Sequence, residues 1–490
     1  CSSDLPAETE FDTPVKAKHY TYISIPTASA AQEVLAHAVV QNTVLSTADK
    51  KVLLQVSQEY LADSGSPYYG QVIRSIISKA GVEGGELDYV SAEETTWGTD
   101  GIYATRKVTY KPFDYDYDGT NHTSMTVKYY PLSLKEYIVT DTEGNTTEYY
   151  YDVQDRLTKS IKNRLSIYET NLDYTYQMEE VEPESGVFVP VMTIQDEKGN
   201  ISKNIYDGLG NIIRQDKLIN DVWTVILERK YDSFGREYYN ERRDRLNDVD
   251  ALVSQNMVFN DWGMVKSIQY NDGHFEYNDY DPITMQSTLW QESDTEAKAS
   301  TVTQYDVNGV VTSQWKINSL GQNIGVKNYH YDGLAQLRSI VDDAGVFLTY
   351  DYDSYGRVTH TTLADGTTVR KVYAGHTNEK LITHIYADDR LLGEQTFDGL
   401  GRLKTSTVAN RTQQFAYELD KSCPYWTLTQ DGQELQYEYI TELGNVVRSV
   451  KDKDSLILQE MTYDPVSGDL LTGVNAEGIK RSEERRVGKE

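Results

Sequence analysis

The sequence predicts a mainly β protein, an antiparallel sheet laid down hairpin after hairpin, with a small helical segment near the N-terminus. Three observations predict it. The pattern Tyr-Asp-x-x-Gly-Arg returns every 20 to 26 residues or so: Tyr206-Asp207-Gly208-Leu209-Gly210-Asn211, Tyr231-Asp232-Ser233-Phe234-Gly235-Arg236, Tyr352-Asp353-Ser354-Tyr355-Gly356-Arg357 and Phe397-Asp398-Gly399-Leu400-Gly401-Arg402, with degenerate copies from Tyr151, Tyr305, Tyr331 and Tyr463. A fixed period of this size marks a stacked repeat architecture rather than a compact enzyme domain. Between the motifs lie short aromatic and β-branched runs, the composition of strands. Tyr outnumbers Phe by 39 to 9, which suits a sheet with one wet face, because Tyr packs its ring while its hydroxyl stays hydrated.

Residues 349–362 show one unit. The stretch up to Tyr352 alternates and reads as a strand. Asp353 is placed to accept hydrogen bonds from the N–H groups of the turn that follows. Gly356 supplies a positive φ that a residue with a Cβ reaches only with strain. Val358 to Thr362 is β-branched and reads as the return strand. A second turn type joins one hairpin to the next, as in Ala364-Asp365-Gly366-Thr367, Asp141-Thr142-Glu143-Gly144-Asn145 and Gln195-Asp196-Glu197-Lys198-Gly199-Asn200. A lone hairpin is marginal in water, so many in a row must pair into one long sheet, which twists and must coil, close or wrap. The motif Asp and Arg are expected to pair across the turn as a solvated surface pair contributing under about 1 kcal/mol.

Along the chain, residues 6–95 read as a mixed strand and helix segment. Tyr20 to Ile25 is an expected strand. Helices are expected over Ala31 to Val40, from an N-cap at Thr47 to Leu61, and over Gln71 to Ser78. Residues 96–480 read as repeat sheet, looser over 241–300, where Gly263 and Gly273 still mark hairpin turns. Residues 163–190 lack the motif and carry the acidic stretch Glu179-Glu180-Val181-Glu182-Pro183-Glu184, expected as an insertion loop.

The net charge is −29. A polyanion would be repelled, which argues against nucleic acid and anionic membrane surfaces. The sequence has no apolar run of about 20 residues that could span a bilayer as a helix. Cys1 and Cys423 supply neither a disulfide framework nor a metal quartet, and the eight histidines show no ligand spacing. Nucleophile-elbow, phosphate-loop and zinc-protease motifs are absent, so no catalytic residue, cofactor or metal is expected. Asp114, Asp116, Asp118 and Gly119 partly fit a calcium loop, but Met125 stands where a bidentate Glu is needed, and turn capping is the preferred reading.

The Tyr-Asp repeat set resembles the RHS/YD-repeat family. Within it, Arg370-Lys371-Val372-Tyr373-Ala374-Gly375-His376-Thr377-Asn378 is similar to a stretch of the B components of bacterial Tc insecticidal toxin complexes, although Pro usually stands where Gly375 does. So is Gln395-Thr396-Phe397-Asp398-Gly399-Leu400-Gly401-Arg402-Leu403, with Tyr437-Glu438-Tyr439 and Leu443-Gly444. The resemblance covers roughly residues 100–480. It implies part of a hollow shell built from a spiralling sheet, in a secreted complex that encloses a cytotoxic cargo domain. Its implied partners are a C component carrying that cargo and a pore-forming A component. The family's self-cleaving aspartyl core has no match here. A cell-surface YD-repeat protein acting in adhesion, and the shell of a contact-dependent toxin, are the alternatives.

Both ends are expected to be foreign. Residues 1–5 and 481–490 resemble translated remnants of a sequencing adapter, with a lipid-modified Cys1 as the alternative reading of the start. Without them the net charge remains −29, since they hold four acidic and four basic residues between them.

Overall fold

The computed structural model describes residues 16–26, 35–46, 52–63, 65–80, 87–112, 122–180, 186–246, 249–292, 299–345, 347–478 and 480–481. Every regular element among them is a β-strand except a single short 3-10 turn, Thr441–Leu443. Strands pair antiparallel with their neighbours in the chain, as in Thr170–Glu180 with Phe188–Asp196, Ile201–Tyr206 with Ile212–Ile219, and Thr368–Tyr373 with Ile382–Ala387. The expected antiparallel hairpin sheet is therefore what forms. The expected strand at Tyr20 to Ile25 lies within Lys16–Pro26.

The chain divides into two compact units. One comprises residues 1–149, 161–169 and 350–490; the other comprises residues 150–160 and 170–349. Buried apolar side chains are few and scattered in each: Leu53, Val90, Ala92, Val127, Ile161, Ala374 and Ile440 in the first, Val191, Leu227 and Val302 in the second. A single sheet layer has no thick core, so pairing, turns and cross-strand contacts carry most of the fold.

The expected N-terminal helices are strands. Leu35–Ser46, Val52–Tyr60 and Val72–Ala80 pair in succession, and the last pairs on with Leu87–Asp100. Residues 31–34 and the expected cap at Thr47 lie outside the described residues. Short apolar runs do not distinguish helix from strand by periodicity alone. Here Val52, Val56, Val72, Ile73, Ile76 and Ile77 are β-branched, stiff at χ1 and suited to a pleated surface. Partner strands on both sides then pair the backbone, and an isolated short helix is marginal in water.

The expected insertion loop is also largely strand. Residues 170–180 and 188–196 form a paired hairpin in which Tyr174 faces Ile194 and Tyr176 faces Met192. The alternation Leu172, Tyr174, Tyr176, Met178 is a strand pattern that the missing motif and the acidic stretch concealed. The candidate calcium loop at Asp114 to Gly119 lies outside the described residues.

A β-bulge recurs at the aromatic residue that ends a strand, which is the first residue of the motif in each copy below and Tyr373 besides. The register shifts between Ile205 and Tyr206, Lys230 and Tyr231, Gln304 and Tyr305, His330 and Tyr331, Val372 and Tyr373, and Thr396 and Phe397. Each time one residue of the return strand is skipped. Tyr305 faces Val311 while Gln304 faces Ser313, leaving Thr312 over. A bulge bends its strand and adds right-handed twist, so curvature is written into every such repeat. Thr312 donates its hydroxyl to the Gln304 carbonyl at 3.2 Å, and Thr383 does the same to Val372 at 3.2 Å. The bulged residue thus satisfies a carbonyl beside the break in the ladder.

Candidate functional site

The recurring site is the Tyr-Asp turn. In the copy at 352–357, the Gly356 N–H donates to the Asp353 carbonyl at 3.0 Å and the Asp353 N–H to the Arg357 carbonyl at 3.0 Å. Asp353 Oδ1 accepts from the N–H groups of Tyr355 (2.9 Å) and Arg357 (3.0 Å), and Oδ2 accepts from Arg357 Nε at 2.7 Å. Gly356 sits at φ 78°, the left-handed conformation the sequence predicted. The other expected turns repeat this geometry. Oδ2 of Asp232 and Asp398 accepts from Nε of Arg236 and Arg402, each at 2.7 Å. Gly235, Gly401 and Gly210 have φ of 76°, 75° and 85°. Where Asn211 replaces Arg, its side-chain amide donates to Asp207 Oδ2 at 2.9 Å. Asn145 and Asn200 do the same for Asp141 and Asp196, at 3.0 and 2.8 Å.

The motif Arg is more than a surface partner in two copies. Arg357 is 7% exposed. Its Nη1 donates to the carbonyls of Thr377 (3.0 Å) and Glu379 (2.9 Å), and its guanidinium lies 4.5 Å from the Tyr373 ring centroid. Arg402 donates to the Glu418 carbonyl at 2.9 Å and lies 4.7 Å from the Tyr417 ring. The expectation of a solvated pair holds for Arg156, whose side chain is 48% exposed. It fails for Arg357, because the next connection folds its carbonyls over the guanidinium.

A Tyr on a later strand, at the first position of a motif in two cases, bonds back to the return strand of the turn before it. The Tyr373 hydroxyl donates to the Val358 carbonyl at 2.7 Å, Tyr176 to Leu157 at 2.9 Å, and Tyr231 to Ile212 at 3.2 Å. Tyr439 and Tyr463 make the same bond to Pro424 (3.0 Å) and Val447 (2.8 Å). Each ring therefore locks its repeat onto the return strand of the preceding one. Tyr352 opens its own motif, and Phe397 takes the position without a hydroxyl. Burial pushes the phenols of Tyr176, Tyr373, Tyr417 and Tyr463 above their ordinary range, and that of Tyr439 up to about 12. They remain neutral donors at any physiological pH. The preference for Tyr over Phe at the first position, and Thr at the bulge, are the sequence signals that point to this interlock.

Three turn carboxylates are held low. Burial alone would raise Asp207 and Asp232. Hydrogen bonds from the side chains and N–H groups of Asn211 and Arg236 outweigh it and hold both below the usual carboxylate range. The N–H groups of Val310 and Asn308 do the same for Asp306.

In the first unit, segments nearly 300 positions apart meet end to end. The Tyr355 hydroxyl donates to the Leu53 carbonyl at 3.2 Å, and Lys79 Nζ donates to the Gly375 carbonyl. The turn at 141–145 is a hub. Glu143 Oε1 accepts from the Ser422 N–H (3.0 Å) and hydroxyl (2.7 Å), and both its carboxylate oxygens accept from Asn445 Nδ2. Lys421 Nζ donates to the Glu143 carbonyl at 3.1 Å, and Asn163 Nδ2 to that of Glu442 at 3.2 Å. Burial would raise the Glu143 carboxyl, but the Ser422 and Asn445 bonds and Lys421 prevail and hold it low. Among the described residues no group of three or more His, Cys, Asp or Glu could hold a metal ion. Cys423 is half-buried and free.

The family model described as Teneurin YD-shell matches residues 187–458, more than half of the sequence. The chain belongs to the YD-shell family. No curated protein matches it. Among solved structures, it is similar to the Photorhabdus luminescens Tc holotoxin pore at 11% identity over 88% of this chain, with a TM-score of 0.48. It is similar to TcdB2-TccC3-TEV at 11% identity over 96% of this chain, with a TM-score of 0.36. The chain spans 26% of the length of the first and 44% of the second. At those scores the assignment stands on the family model and on the repeats. A YD-shell is a scaffold, and the interlocked turns are the parts that make this one. No helix among the described residues is long and apolar enough to cross a membrane.

Proposed function

We propose that the chain is a wall segment of a secreted toxin complex, in which a YD-repeat shell encloses a cytotoxic cargo domain and keeps it sequestered until delivery. Its proposed partners are a C component bearing the cargo and a pore-forming A component, as the resemblance to Tc B components implies. Residues 96–480 are the proposed repeat wall. The observation that carries the reading is the interlock. An Asp closes each hairpin's own turn and a Tyr hydroxyl ties one hairpin to the return strand of the one before, which favours a continuous barrier over a pocket. A sheet of polar and Tyr-rich faces offers a confined chain few broad apolar patches to adhere to.

The test is limited proteolysis and hydrogen exchange on the full-length protein assembled with its C component. The cargo is expected to resist protease while the wall is intact, and to exchange its amides as an unfolded chain does. A cargo digested inside an intact wall, or one showing protected, folded amides, refutes the proposal.

A further inference from the structure

Three neighbouring strands of the second unit, Ile212–Ile219, Val222–Tyr231 and Glu237–Leu246, treat their cations differently on their two faces. On one face each described cation has a carboxylate. Arg214 donates twice to Asp216, at 2.7 and 2.8 Å, and Arg243 donates to Glu241 at 2.5 Å. Lys203, on the strand before, donates to Glu179 at 2.6 Å, and Lys230 lies 3.8 Å from Glu228. The register puts Lys217, Arg229 and Arg242 on the other face, because directly paired residues share a face and so do residues two apart. Gln215, two residues before Lys217, stands across from Leu227, and Leu227 stands across from Arg242; Arg229 is two residues beyond Leu227. The three cations line one open hollow of about 550 Å³. Arg243 touches its rim while bonded to Glu241.

On this face the pairing stops. Among the described residues, the side chains of Lys217 and Arg242 have no hydrogen bond or ion pair, and both are exposed. Arg229 Nε is buried 3.4 Å from Glu237 Oε2 without making a hydrogen bond. The other oxygen of that carboxylate accepts from Asn240 Nδ2 at 2.7 Å. Three cations therefore share one anion, in a chain of net charge −29. A lone exposed Lys is ordinary. Three cations around one hollow, where the reverse face of the same strands pairs its own, are a local reversal of the field that a ligand of opposite charge can use.

We infer that this hollow is a docking site for an extended acidic segment of another polypeptide, with carboxylates on alternate residues. Charge complementarity selects an acidic ligand, and spacing selects an extended one. Arg229 and Arg242 are diagonal neighbours on adjacent strands, about 7–8 Å apart. Residues two apart in an extended chain are separated by about 6.6–6.8 Å and point to the same side. All three strands are already paired on both sides, so the segment cannot add as a further strand; it lies across the face and is held by side chains. The inference does not depend on the wall reading, since three strands of one unit form the site whether or not they enclose a cargo.

The test is fluorescence anisotropy on the full chain with a short fluorescein-labelled peptide that alternates glutamate with threonine. At about 0.1 M salt, screening over about 10 Å shields the peptide from the distant charge of the chain but not from the hollow. Binding is expected there, and is expected to fade at about 1 M, where the screening length is about 3 Å. Lys217→Gln and Arg242→Gln remove exposed side chains that hold no bond, so an unchanged circular dichroism melt is expected. Each is expected to weaken binding about two- to fivefold. Lys230→Gln removes the same unit of charge from the reverse face and is expected to leave binding unchanged. A wild type that does not bind at about 0.1 M salt overturns the inference, and so does a loss from Lys230→Gln equal to that from Lys217→Gln. A peptide with as many glutamates set three apart presents them to alternate sides and is expected to bind more weakly. If it binds equally, or if tripolyphosphate at equal charge displaces the probe more readily than unlabelled peptide does, the hollow is a general anion site and the extended acidic segment is wrong.

Discussion

Replacing Arg357 and Arg156 by Met separates motif chemistry from burial. Both are the last residue of a Tyr-Asp turn, and both donate Nε to the motif Asp, at 2.7 and 2.8 Å. They differ in what surrounds them. Arg357→Met leaves the carbonyls of Thr377 and Glu379 without their donor and strips Asp353 of its counter-charge in a nearly closed site. Breaking one partner of a buried, hydrogen-bonded pair costs about 3–5 kcal/mol. Arg156→Met breaks a pair whose Arg side chain is 48% exposed, for which about 0.2–1 kcal/mol is the ordinary cost. A repeat sheet need not unfold in one step, so the assay is native-state amide exchange read at each turn. At about 1.4 kcal/mol per tenfold change, Arg357→Met is expected to speed exchange at the 353–357 turn and at 377–379 by about a hundredfold to several thousandfold. Arg156→Met is expected to speed its own turn by no more than about fivefold. Arg357→Lys keeps the charge but loses the planar fork, and is expected to fall between. Equal effects at the two turns would refute the claim that burial, rather than the Asp-Arg pair, sets the value of the motif.

Tyr373→Phe removes only the hydroxyl bonded to the Val358 carbonyl. A local loss of about 1 kcal/mol is expected, read as faster exchange around 358 and no change at distant turns. Because burial raises the folded-state phenols, Tyr439 to about 12, folded chains hold protons that unfolded ones release above about pH 10. Stability is therefore full below about pH 10 and declines as pH rises toward about 12, and a denaturant midpoint measured across that window checks it. Glu143→Ala is expected to free the turn at 141–145 from Ser422 and Asn445 at a cost of about 1–2 kcal/mol, since the carboxylate is partly in water. Limited proteolysis near 418–424 reports the release. The wild-type contact has a depressed carboxyl, so it persists at neutral pH and loosens only as pH falls below the ordinary Glu range.

The hairpins were legible because turn chemistry is local. An Asp that accepts from two N–H groups, followed by a Gly at positive φ, leaves the chain little choice, and the turns at 206–211, 231–236, 352–357 and 397–402 follow from residues within six positions of one another. The N-terminal strands were not legible in the same way. Ala31 to Val40 and Val52 to Leu61 have apolar spacings compatible with either period, and partner strands decide between them. The link between Glu143 and Ser422 had no local signal at all: a surface Glu in a turn looks the same whether or not a distant segment returns to it.

The depth of each motif Arg lies between these cases, and the structure shows what sets it. The guanidinium of Arg357 is capped by carbonyls of the connection between Thr368–Tyr373 and Ile382–Ala387, and that of Arg402 by the connection between Arg411–Tyr417 and Pro424–Leu428. Both connections are longer than the turn that follows Arg236. There, Val249–Phe259 passes to Val265–Tyr270 through five residues, Arg236 stacks 4.4 Å from the Phe259 ring, and its side chain is 31% exposed. A five-residue turn spends its carbonyls closing its own hairpin, whereas six or eight residues leave some free to point back. What separates Arg357 and Arg402 from Arg236 is therefore whether carbonyls of the connection one strand pair downstream reach the guanidinium. Arg156 also stacks, 4.6 Å from the Tyr176 ring, so Arg236→Met, at 31% exposure against 48%, is expected to cost only slightly more than Arg156→Met and clearly less than Arg357→Met. An Arg236 variant as damaging as Arg357→Met would show that ring stacking, and not the carbonyl cap, does the anchoring.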